Sequence, residues 1–458
     1  MEYISTRNSK ETFSFKDVFL KGLAPDGGLF VPKVFPFFNN DELKELKNLS
    51  YHELATKIFL SFCSDEFKEN DIREMVFNSY KDFRAIDVVE IKKMKNLNLL
   101  ELFHGPTLAF KDIAMQVIGN MYEKILEKNN IKINIIVATS GDTGAAAISA
   151  IEGRSNMKIF VLHPENKISE VQRKFMTTTD AKNVFNIAVK GNFDECQKFV
   201  KQMFSDEKFR KSINMSGVNS INWARIICQI VYYFYSYFKF EKKKVSYAVP
   251  TGNFGDVFAG YVAKKMGLPI EKLVVATNEN DILERVINTG VYKPTKVKPS
   301  LSPSMDVQIS SNFERLLFDL LNKDDKQVST FMNNLKSKGS FLLNKEHIAI
   351  IKKDFIAKKI NDKETIEIIK NFSKEHNFIL DPHTATAVGA SKAVMNGSEI
   401  LILGTAHPYK FLETIKIATS QEVEVPKQIA HLINKKENYD ILENKIQDIR
   451  NYILGKIA

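Results

Sequence analysis

Two stretches of the chain share one order: a short apolar run, a glycine-containing loop and a helix-forming run. Ile133–Ala138 (INIIVA) precede the loop 140–144 (SGDTG), and AAAISAI follows. Residues 245–249 (VSYAV) precede the loop 252–255 (GNFG), and a second helix-forming run, VFAGYVAKKMG, follows Asp256. A compact apolar run is typical of a strand buried in a parallel sheet. The repeated order predicts an α/β fold with two doubly wound lobes.

Other segments extend this prediction. Apolar runs at 158–162, 184–189, 273–276 and 400–403 (KIFVL, VFNIAV, LVVA and ILIL) predict further strands. The first hundred residues are mainly helical and polar in pattern after an opening segment, with residues 39–41 (NND) suited to cap a helix.

Composition limits the class of protein. With 458 residues, 44% of them hydrophobic, the chain can bury large cores in two to three domains. The longest apolar stretch, 226–240, is interrupted by Gln229 and is too short for a membrane span. The N-terminus lacks the apolar segment of a signal peptide, so we expect a cytoplasmic protein. Cys63, Cys196 and Cys228 are scattered without metal-ligand spacing, which indicates reduced thiols and no metal.

The net charge of +10 raises the question of nucleic-acid binding. The lysines are spread along the chain, and no basic arm or aromatic RNA-binding motif accompanies them. We therefore expect no nucleic-acid partner and no membrane association. A mildly positive field can still attract an anionic small substrate.

Lys111 lies in the segment ELFHGPTLAFKDIAMQ, directly after the apolar residues Leu108, Ala109 and Phe110. Burying an ammonium is costly unless it is neutralised or paired. Two hypotheses follow from this segment alone. Lys111 is either the first polar residue of a solvated helix or an amine held in an apolar site.

The two glycine loops are candidate anion sites, because backbone N–H groups at a helix start face a ligand at the carboxyl end of a strand. Ser140 and Thr143 add hydroxyl donors to the first loop. The second loop has neither a Walker A sequence nor a full G-x-G-x-x-G motif. We expect a side chain at Gly255 to displace the backbone or to strain a glycine conformation. The alternative for each loop is a structural turn.

Asn219, Asn222 and Arg225 recur every three residues, so on a helix they share one face. Two amides and a guanidinium could hold a phosphate or a carboxylate. The alternative is a helix start capped by an asparagine.

Thr405 follows an apolar run, where its hydroxyl could meet a ligand ring nitrogen or bond its own turn. His383 and His407 are candidate general bases, although helix-start and turn roles account for both positions.

Seven segments occur in the order found in threonine synthases, which are pyridoxal-phosphate enzymes of the tryptophan-synthase-β fold type. The segments are HGPTLAFKD, ATSGDTGAAA, NSINWARI, VPTGNFGD, SPSMDVQISSNFERLL, DPHTATAVGA and LGTAHPYKF. The opening YISTRN and FKDVFLKGLAPDGGLFVP are similar to the N-terminal domain of the same family. The resemblance covers nearly the whole chain.

The resemblance implies roles for residues around the cofactor, pyridoxal 5'-phosphate. Lys111 matches the Schiff-base lysine, and Thr405 matches the hydroxyl that meets the pyridine nitrogen. The residues that match the cofactor-phosphate loop are Gly252, Asn253, Phe254 and Gly255.

It also implies roles toward the substrate. The loop 140–144, with Ser140 and Thr143, matches the segment that faces the substrate carboxylate and the cofactor ring. Asp142 stands where many members of the wider fold type carry asparagine, so the resemblance leaves a hydrogen bond from Asp142 to the ring open. The residues that match the substrate-phosphate motif are Asn219, Ser220, Asn222 and Arg225.

The activity implied is the conversion of O-phospho-L-homoserine and water into L-threonine and phosphate, by a lyase that is a monomer or a homodimer. The implied domains are an N-terminal domain (1–95), a first lobe with the lysine (96–240) and a second lobe with the cofactor-phosphate loop (241–458). The second lobe carries a mostly helical insert near 311–373. Two alternatives stay open: a phospho-lyase that releases a keto acid, and a non-catalytic ligand-binding homologue.

Overall fold

The computed structural model describes residues 1–95, 97–218, 220–240, 244–394 and 399–457. The chain forms two compact units, each built from several separate segments. Unit 1 consists of Met1–Phe77, Phe83–His104 and Ser220–Val423, and unit 2 of Asn78–Asp82, Gly105–Asn219 and Glu424–Ala458.

The strands of the described chain are short and distributed along its whole length. They are β1 Tyr3–Ser5, β2 Thr12–Phe13, β3 Phe30–Pro32, β4 Glu90–Lys93, β5 Asn98–Glu101, β6 Ile133–Ala138, β7 Met157–Pro164, β8 Val184–Val189, β9 Met215–Ser216, β10 Val245–Pro250, β11 Ile270–Thr277, β12 Val291–Tyr292, β13 Phe341–Leu342, β14 Phe355–Lys359, β15 Ile400–Gly404 and β16 Asp440–Leu442.

The α-helices connect and cover these strands. They are α1 Phe15–Lys21, α2 Asn40–Lys47, α3 Tyr51–Cys63, α4 Glu69–Tyr80, α5 Lys111–Asn129, α6 Asp142–Ile151, α7 Glu170–Thr177, α8 Phe193–Ser205, α9 Glu207–Ser212, α10 Trp223–Phe240, α11 Gly255–Lys265, α12 Ile282–Thr289, α13 Phe313–Leu320, α14 Asp325–Lys338, α15 Lys345–Asp354, α16 Asp362–His376, α17 Pro382–Val394, α18 Leu412–Thr419, α19 Ala430–Ile433 and α20 Ile446–Ile457.

Unit 2 is built on a parallel sheet with the strand order β16-β8-β7-β6-β9. Apolar side chains of β6, β7 and β8 pack with those of α8 and α20, such as Phe199 and Ile453, in one buried cluster. Parallel pairing places the carboxyl ends of these strands at one edge. The loop 140–144 follows β6 at that edge.

Unit 1 contains a six-stranded sheet with the order β14-β11-β10-β15-β5-β4. All its pairs are parallel except β4 with β5. Because β10 and β15 are parallel neighbours, the loop 252–255 and Thr405 leave the sheet at the same edge. The α/β prediction with parallel sheets in two units is confirmed.

Several local predictions are confirmed in detail. Strands β6 and β8 have the predicted bounds, and Asn39 caps α2 in a capping box with Glu42. The segment 311–373 is mostly helical, but it also contributes β14, the edge strand of the large sheet. The sequence FIAKK does not predict this strand, because two of its five residues are lysines. The lysines are tolerated since β14 is an edge strand that is only partly buried.

The longest predicted apolar stretch forms most of α10, which is buried in unit 1 along almost its full length. None of the helices in the described ranges is long and apolar enough to cross a membrane. The three cysteines are buried and unpaired with one another.

Candidate active site

Lys111 is the first residue of α5 in unit 2, and its side chain is 8% exposed. Its Nζ donates to Asp142 Oδ2 at 3.2 Å and lies 5.1 Å from the centre of the Phe110 ring. The solvated-helix interpretation is therefore wrong, and Lys111 is an amine held in a buried, paired setting.

The segment before Lys111 is folded back onto α5. The Thr107 backbone N–H donates to Asp112 Oδ2 at 2.8 Å, and the Thr107 hydroxyl donates to Asp112 Oδ1 at 2.6 Å. A Cβ on Gly105 would lie 2.4 Å from Asp112 Cβ, so only glycine fits there. Leu108 has a φ of 60°, a conformation that is strained for a residue other than glycine. The motif HGPTLAFKD thus fixes the backbone that precedes Lys111 against the first turn of α5.

The loop after β6 places Asp142 beside Lys111. Thr139 Oγ1 accepts hydrogen bonds from the backbone N–H groups of Gly141 and Gly144 at 3.0 and 2.9 Å, and this fixes the turn. Gln172 Nε2 donates to Asp142 Oδ1 at 3.2 Å. One carboxylate oxygen of Asp142 therefore accepts from the Gln172 amide, and the other accepts from Lys111.

Ser140 and Thr143 lie at the same turn and are partly exposed. Their hydroxyls make no hydrogen bond with another described residue. Both donors are available to a ligand at the start of α6.

In unit 1, the loop 252–255 connects β10 to the start of α11. Within the described residues, none of the backbone N–H groups of Gly252, Asn253, Phe254 and Gly255 donates a hydrogen bond. Four successive free donors at a helix start form a ready site for an anion.

The steric need for glycine in this loop falls on Gly252. A Cβ there would lie 2.9 Å from the carbonyl oxygen of Ser304 and 3.0 Å from Met305 Cα. The expected strain of a glycine conformation at Gly255 is wrong, whereas the expected displacement of its backbone from an anion stays a prediction. A Cβ at Gly255 would be no closer than 3.4 Å to its neighbours, and the positive φ of 66° belongs to Phe254.

Residues 310–315 hold the loop in place, which the sequence did not reveal. Ser310 Oγ donates to the Gly252 carbonyl at 3.0 Å, and Asn312 Nδ2 donates to Asn253 Oδ1 at 3.0 Å. Fully buried Arg315 donates to the carbonyls of Phe30 and Ile221 and to Asn312. The local pattern of SSNFERLL indicates no role for these residues, because their contacts reach residues 58 to 285 positions away.

The predicted helical face is not formed between Asn222 and Arg225, because α10 begins only at Trp223. Asn222 precedes the helix. Its Oδ1 accepts from the Ala224 backbone N–H at 3.1 Å and its Nδ2 donates to the Phe19 carbonyl at 2.9 Å. The alternative of a capping asparagine is therefore realised at Asn222.

The remaining members of the motif differ in their surroundings. Ser220 Oγ accepts a hydrogen bond from Asn253 Nδ2, which links this motif to the second glycine loop. Asn219 lies outside the described residues.

Arg225 is 5% exposed, and within the described chain its guanidinium donates no hydrogen bond. Burial lowers the pKa of Arg225 to about 10, partly offset by acidic groups that include Asp256. Asp256 itself is buried and accepts hydrogen bonds from Tyr232 and Tyr233. A buried cation with free donors is costly by itself, so Arg225 is suited to receive an anion.

Thr405 follows β15 and is buried. Its backbone N–H donates to Thr384 Oγ1 at 3.1 Å, while its hydroxyl makes no hydrogen bond with another described residue. The hydroxyl thus does not bond its own turn and is free for a ligand.

The two histidines have the local roles that were set against a general-base function. His407 Nδ1 accepts from the Tyr409 backbone N–H at 3.2 Å, and burial lowers the pKa of His407 to about 3, which keeps the ring neutral. His383 lies in the first turn of α17 and contacts Asp381.

One group in the described ranges, Glu90, Glu101 and His104, brings possible metal ligands within 4.8 Å of one another. His104 Nε2 lies 3.2 Å from Glu101 Oε2, so an imidazole–carboxylate pair accounts for the two buried members. Glu90 is exposed and lies across from Glu101 in the β4–β5 pair.

Three family models match the chain in succession. They are Threonine synthase N terminus over residues 2–80, Pyridoxal-phosphate dependent enzyme over 95–334, and Threonine synthase, C-terminal over 384–453.

Proteins of known identity match over the full length. The threonine synthase of Pseudomonas aeruginosa is 42% identical, with 99% of this chain and 98% of that protein covered. The threonine synthase of Saccharomyces cerevisiae is 40% identical, with 100% and 98% covered. The crystal structure of PLP-bound threonine synthase from Brucella melitensis is 42% identical, covers 100% of this chain and 99% of its own, and has a TM-score of 0.97.

Proposed function

The chain belongs to the threonine synthase family of pyridoxal-phosphate-dependent enzymes, and we propose on this premise how its residues convert O-phospho-L-homoserine and water into L-threonine and phosphate. The observation that carries the proposal is the buried amine of Lys111, 3.2 Å from Asp142 Oδ2 at the start of α5. A lysine amine in such a site can bond a carbonyl carbon and move protons.

The residues present fit pyridoxal 5'-phosphate. The four free N–H groups of the loop 252–255 suit its phosphate, and the free hydroxyl of Thr405 suits a pyridine nitrogen. When bound, the cofactor supplies an electron sink for charge that develops on substrate carbons. A neutral hydroxyl at Thr405, in place of a carboxylate, would leave the ring nitrogen largely unprotonated and moderate that sink.

Lys111 would hold the cofactor and then move protons at the substrate carbons. Asp142 would orient the lysine amine, and Gln172 would fix the carboxylate of Asp142 through the 3.2 Å hydrogen bond to its other oxygen. Ser140 and Thr143 would offer their free hydroxyls to the substrate carboxylate. The start of α6 adds a partial positive charge that favours an anion there.

Arg225 would bind the phosphate of the substrate and stabilise the negative charge that develops as phosphate departs. Its burial and its free donors support this role. Ser220 and Asn219 would assist, as the family resemblance implies. Asn222 has one N–H and one oxygen lone pair engaged already, so we assign it mainly to shaping the turn before α10.

The proposal is tested by supplying the purified enzyme with pyridoxal phosphate and O-phospho-L-homoserine. We expect threonine and phosphate in equal amounts. Phosphate with a keto acid would support the phospho-lyase alternative, and no phosphate release would support the non-catalytic one. Lys111→Ala serves as the inactive control.

We propose a cytoplasmic enzyme that is a monomer or a homodimer and has no nucleic-acid partner. We propose domain boundaries near residues 95 and 240.

A further inference from the structure

We propose that Asp381 is a positioning residue that joins the two cofactor-binding elements of unit 1, the loop 252–255 and Thr405. The inference rests on the proposed function, which assigns the loop 252–255 and Thr405 to the cofactor. Asp381 would explain how these two elements are held in alignment. All residues of this network lie in unit 1.

The first branch starts at Asp381 Oδ1. This oxygen accepts from the His383 backbone N–H at 2.9 Å and lies 3.0 Å from His383 Nδ1. The other ring nitrogen of His383, Nε2, accepts from the Ser304 backbone N–H at 3.2 Å. Since Nε2 is an acceptor, the ring proton lies on Nδ1 and is donated to Asp381.

This branch reaches the phosphate loop through Ser304. The Ser304 carbonyl oxygen lies only 2.9 Å from the position that a Cβ on Gly252 would occupy. The backbone of Ser304 and Met305 therefore packs directly against Gly252. A displacement of Ser304 would displace the loop whose N–H groups are assigned to the cofactor phosphate.

The second branch starts at Asp381 Oδ2. This oxygen accepts from the Thr384 backbone N–H at 3.3 Å and from the Thr384 hydroxyl. The Thr384 hydroxyl in turn accepts from the Thr405 backbone N–H at 3.1 Å. This contact fixes the backbone of the residue whose side chain is assigned to the pyridine nitrogen.

Asp381 precedes α17, so an ordinary N-cap would explain its contacts with the two backbone N–H groups. A cap does not explain the rest. The side chains of His383 and Thr384 also donate to the carboxylate, and each accepts a hydrogen bond from a backbone N–H of a different segment. The donor direction in both branches points toward Asp381, which requires an ionised, acceptor-only group. Asp381, His383 and Thr384 are each at most 3% exposed, so water does not replace these bonds.

Matched substitutions separate the two branches. His383→Asn keeps a donor near Nδ1 and removes the acceptor for Ser304, whereas Thr384→Val keeps the shape and removes the hydroxyl. Asp381→Asn disturbs both branches, because an amide cannot accept on both sides. Thr384→Ser restores the hydroxyl, and Asn361→Ala removes the N-cap of α16 without touching the network.

The measurements are the dissociation constant of pyridoxal phosphate, that of inorganic phosphate, the absorbance maximum of the bound cofactor, and the melting temperature of the cofactor-free protein. We expect His383→Asn to weaken phosphate binding by about tenfold, which is the effect of losing one hydrogen bond between the displaced loop and the charged phosphate. The absorbance maximum should stay unchanged. Thr384→Val should shift the absorbance maximum, and Thr384→Ser should restore it. In the Asp381→Asn background the two substitutions should add little, since the branches are already uncoupled.

A simple cap gives a different result. All variants, including Asn361→Ala, would then lower the melting temperature while affinity and spectrum stay unchanged in the folded fraction, and this outcome would overturn the inference. A wild-type protein that binds no pyridoxal phosphate would instead refute the proposed function. The two failures are therefore distinguishable.

Discussion

Lys111 and Asp142 are each the first residue of a helix, and their side chains meet at 3.2 Å. The start of a helix carries partial positive charge, which favours Asp142 at the start of α6 and disfavours a cation at the start of α5. Lys111 thus occupies a position that opposes its own charge, and the carboxylate compensates. The two helix starts keep a reactive amine and its partner in fixed positions.

Lys111→Ala should fold but lose both cofactor absorbance and threonine formation. Folding should persist because Asp142 keeps its hydrogen bond from Gln172. The absorbance of the bound cofactor in the near-ultraviolet and visible range, circular dichroism and product analysis measure cofactor binding, folding and threonine formation. Lys128→Ala, at an exposed position in the last turn of the same helix, is the control and should behave as the wild type. Threonine formation above a trace by folded Lys111→Ala protein would contradict the assignment.

Arg225→Ala should weaken substrate binding far more than cofactor binding. Loss of a charged partner in a desolvated site costs roughly 2 to 5 kcal/mol, and Arg225 is buried with free donors. Separate titrations with pyridoxal phosphate and with O-phospho-L-homoserine measure the two effects. Arg73→Ala removes the same charge from an exposed pair with Glu69 and should change neither. Loss of cofactor affinity with intact substrate affinity would mean that the two phosphate sites are exchanged.

The sequence predicted those parts of the fold whose signal is local. Strands β6 and β8 are compact apolar runs, so their bounds were predictable. Strand β14 was missed because its lysines mask an edge strand, and its pairing with β11 depends on residues about 80 positions away.

The candidate site divides in the same way. Glycine loops and an unusual lysine are visible as local patterns. The contact of Lys111 with Asp142 spans 31 residues, and that of Arg315 with the Phe30 carbonyl spans 285, so neither follows from spacing. The helical face predicted for 222 and 225 failed for a local reason, since Asn222 caps the helix from outside it.

Gly252→Ala should reduce cofactor affinity more than Gly255→Ala does. A Cβ at Gly252 would press on backbone atoms of Ser304 and Met305, which cannot rotate away, whereas one at Gly255 meets only side-chain atoms at 3.4 Å or beyond. The loop must then shift, and its N–H groups leave their alignment. Pyridoxal phosphate titration and melting temperature on both variants test this. Equal affinity in folded Gly252→Ala and wild-type protein would show that the loop is a plain turn.

Asp256→Asn should remove a pH-dependent loss of stability. Burial raises the pKa of Asp256 from 3.8 to about 6, although Tyr232, Tyr233 and Arg225 oppose that rise. The folded protein therefore holds a proton between about pH 4 and pH 6 that the unfolded chain has released, so the free energy of unfolding falls as pH rises through this window. A shift of this size corresponds to about 3 kcal/mol.

The measurement is urea unfolding of cofactor-free protein from pH 4 to pH 7. Asparagine keeps an oxygen acceptor for the two tyrosine hydroxyls but cannot ionise, so the Asp256→Asn protein should gain stability relative to the wild type as pH rises from 4 to 6. The difference should level off above pH 6, where Asp256 is charged in both states. Asp194→Asn at an exposed position is the control and should follow the wild-type curve. If the two proteins give parallel curves, ionisation of Asp256 does not contribute to the pH dependence of the free energy of unfolding.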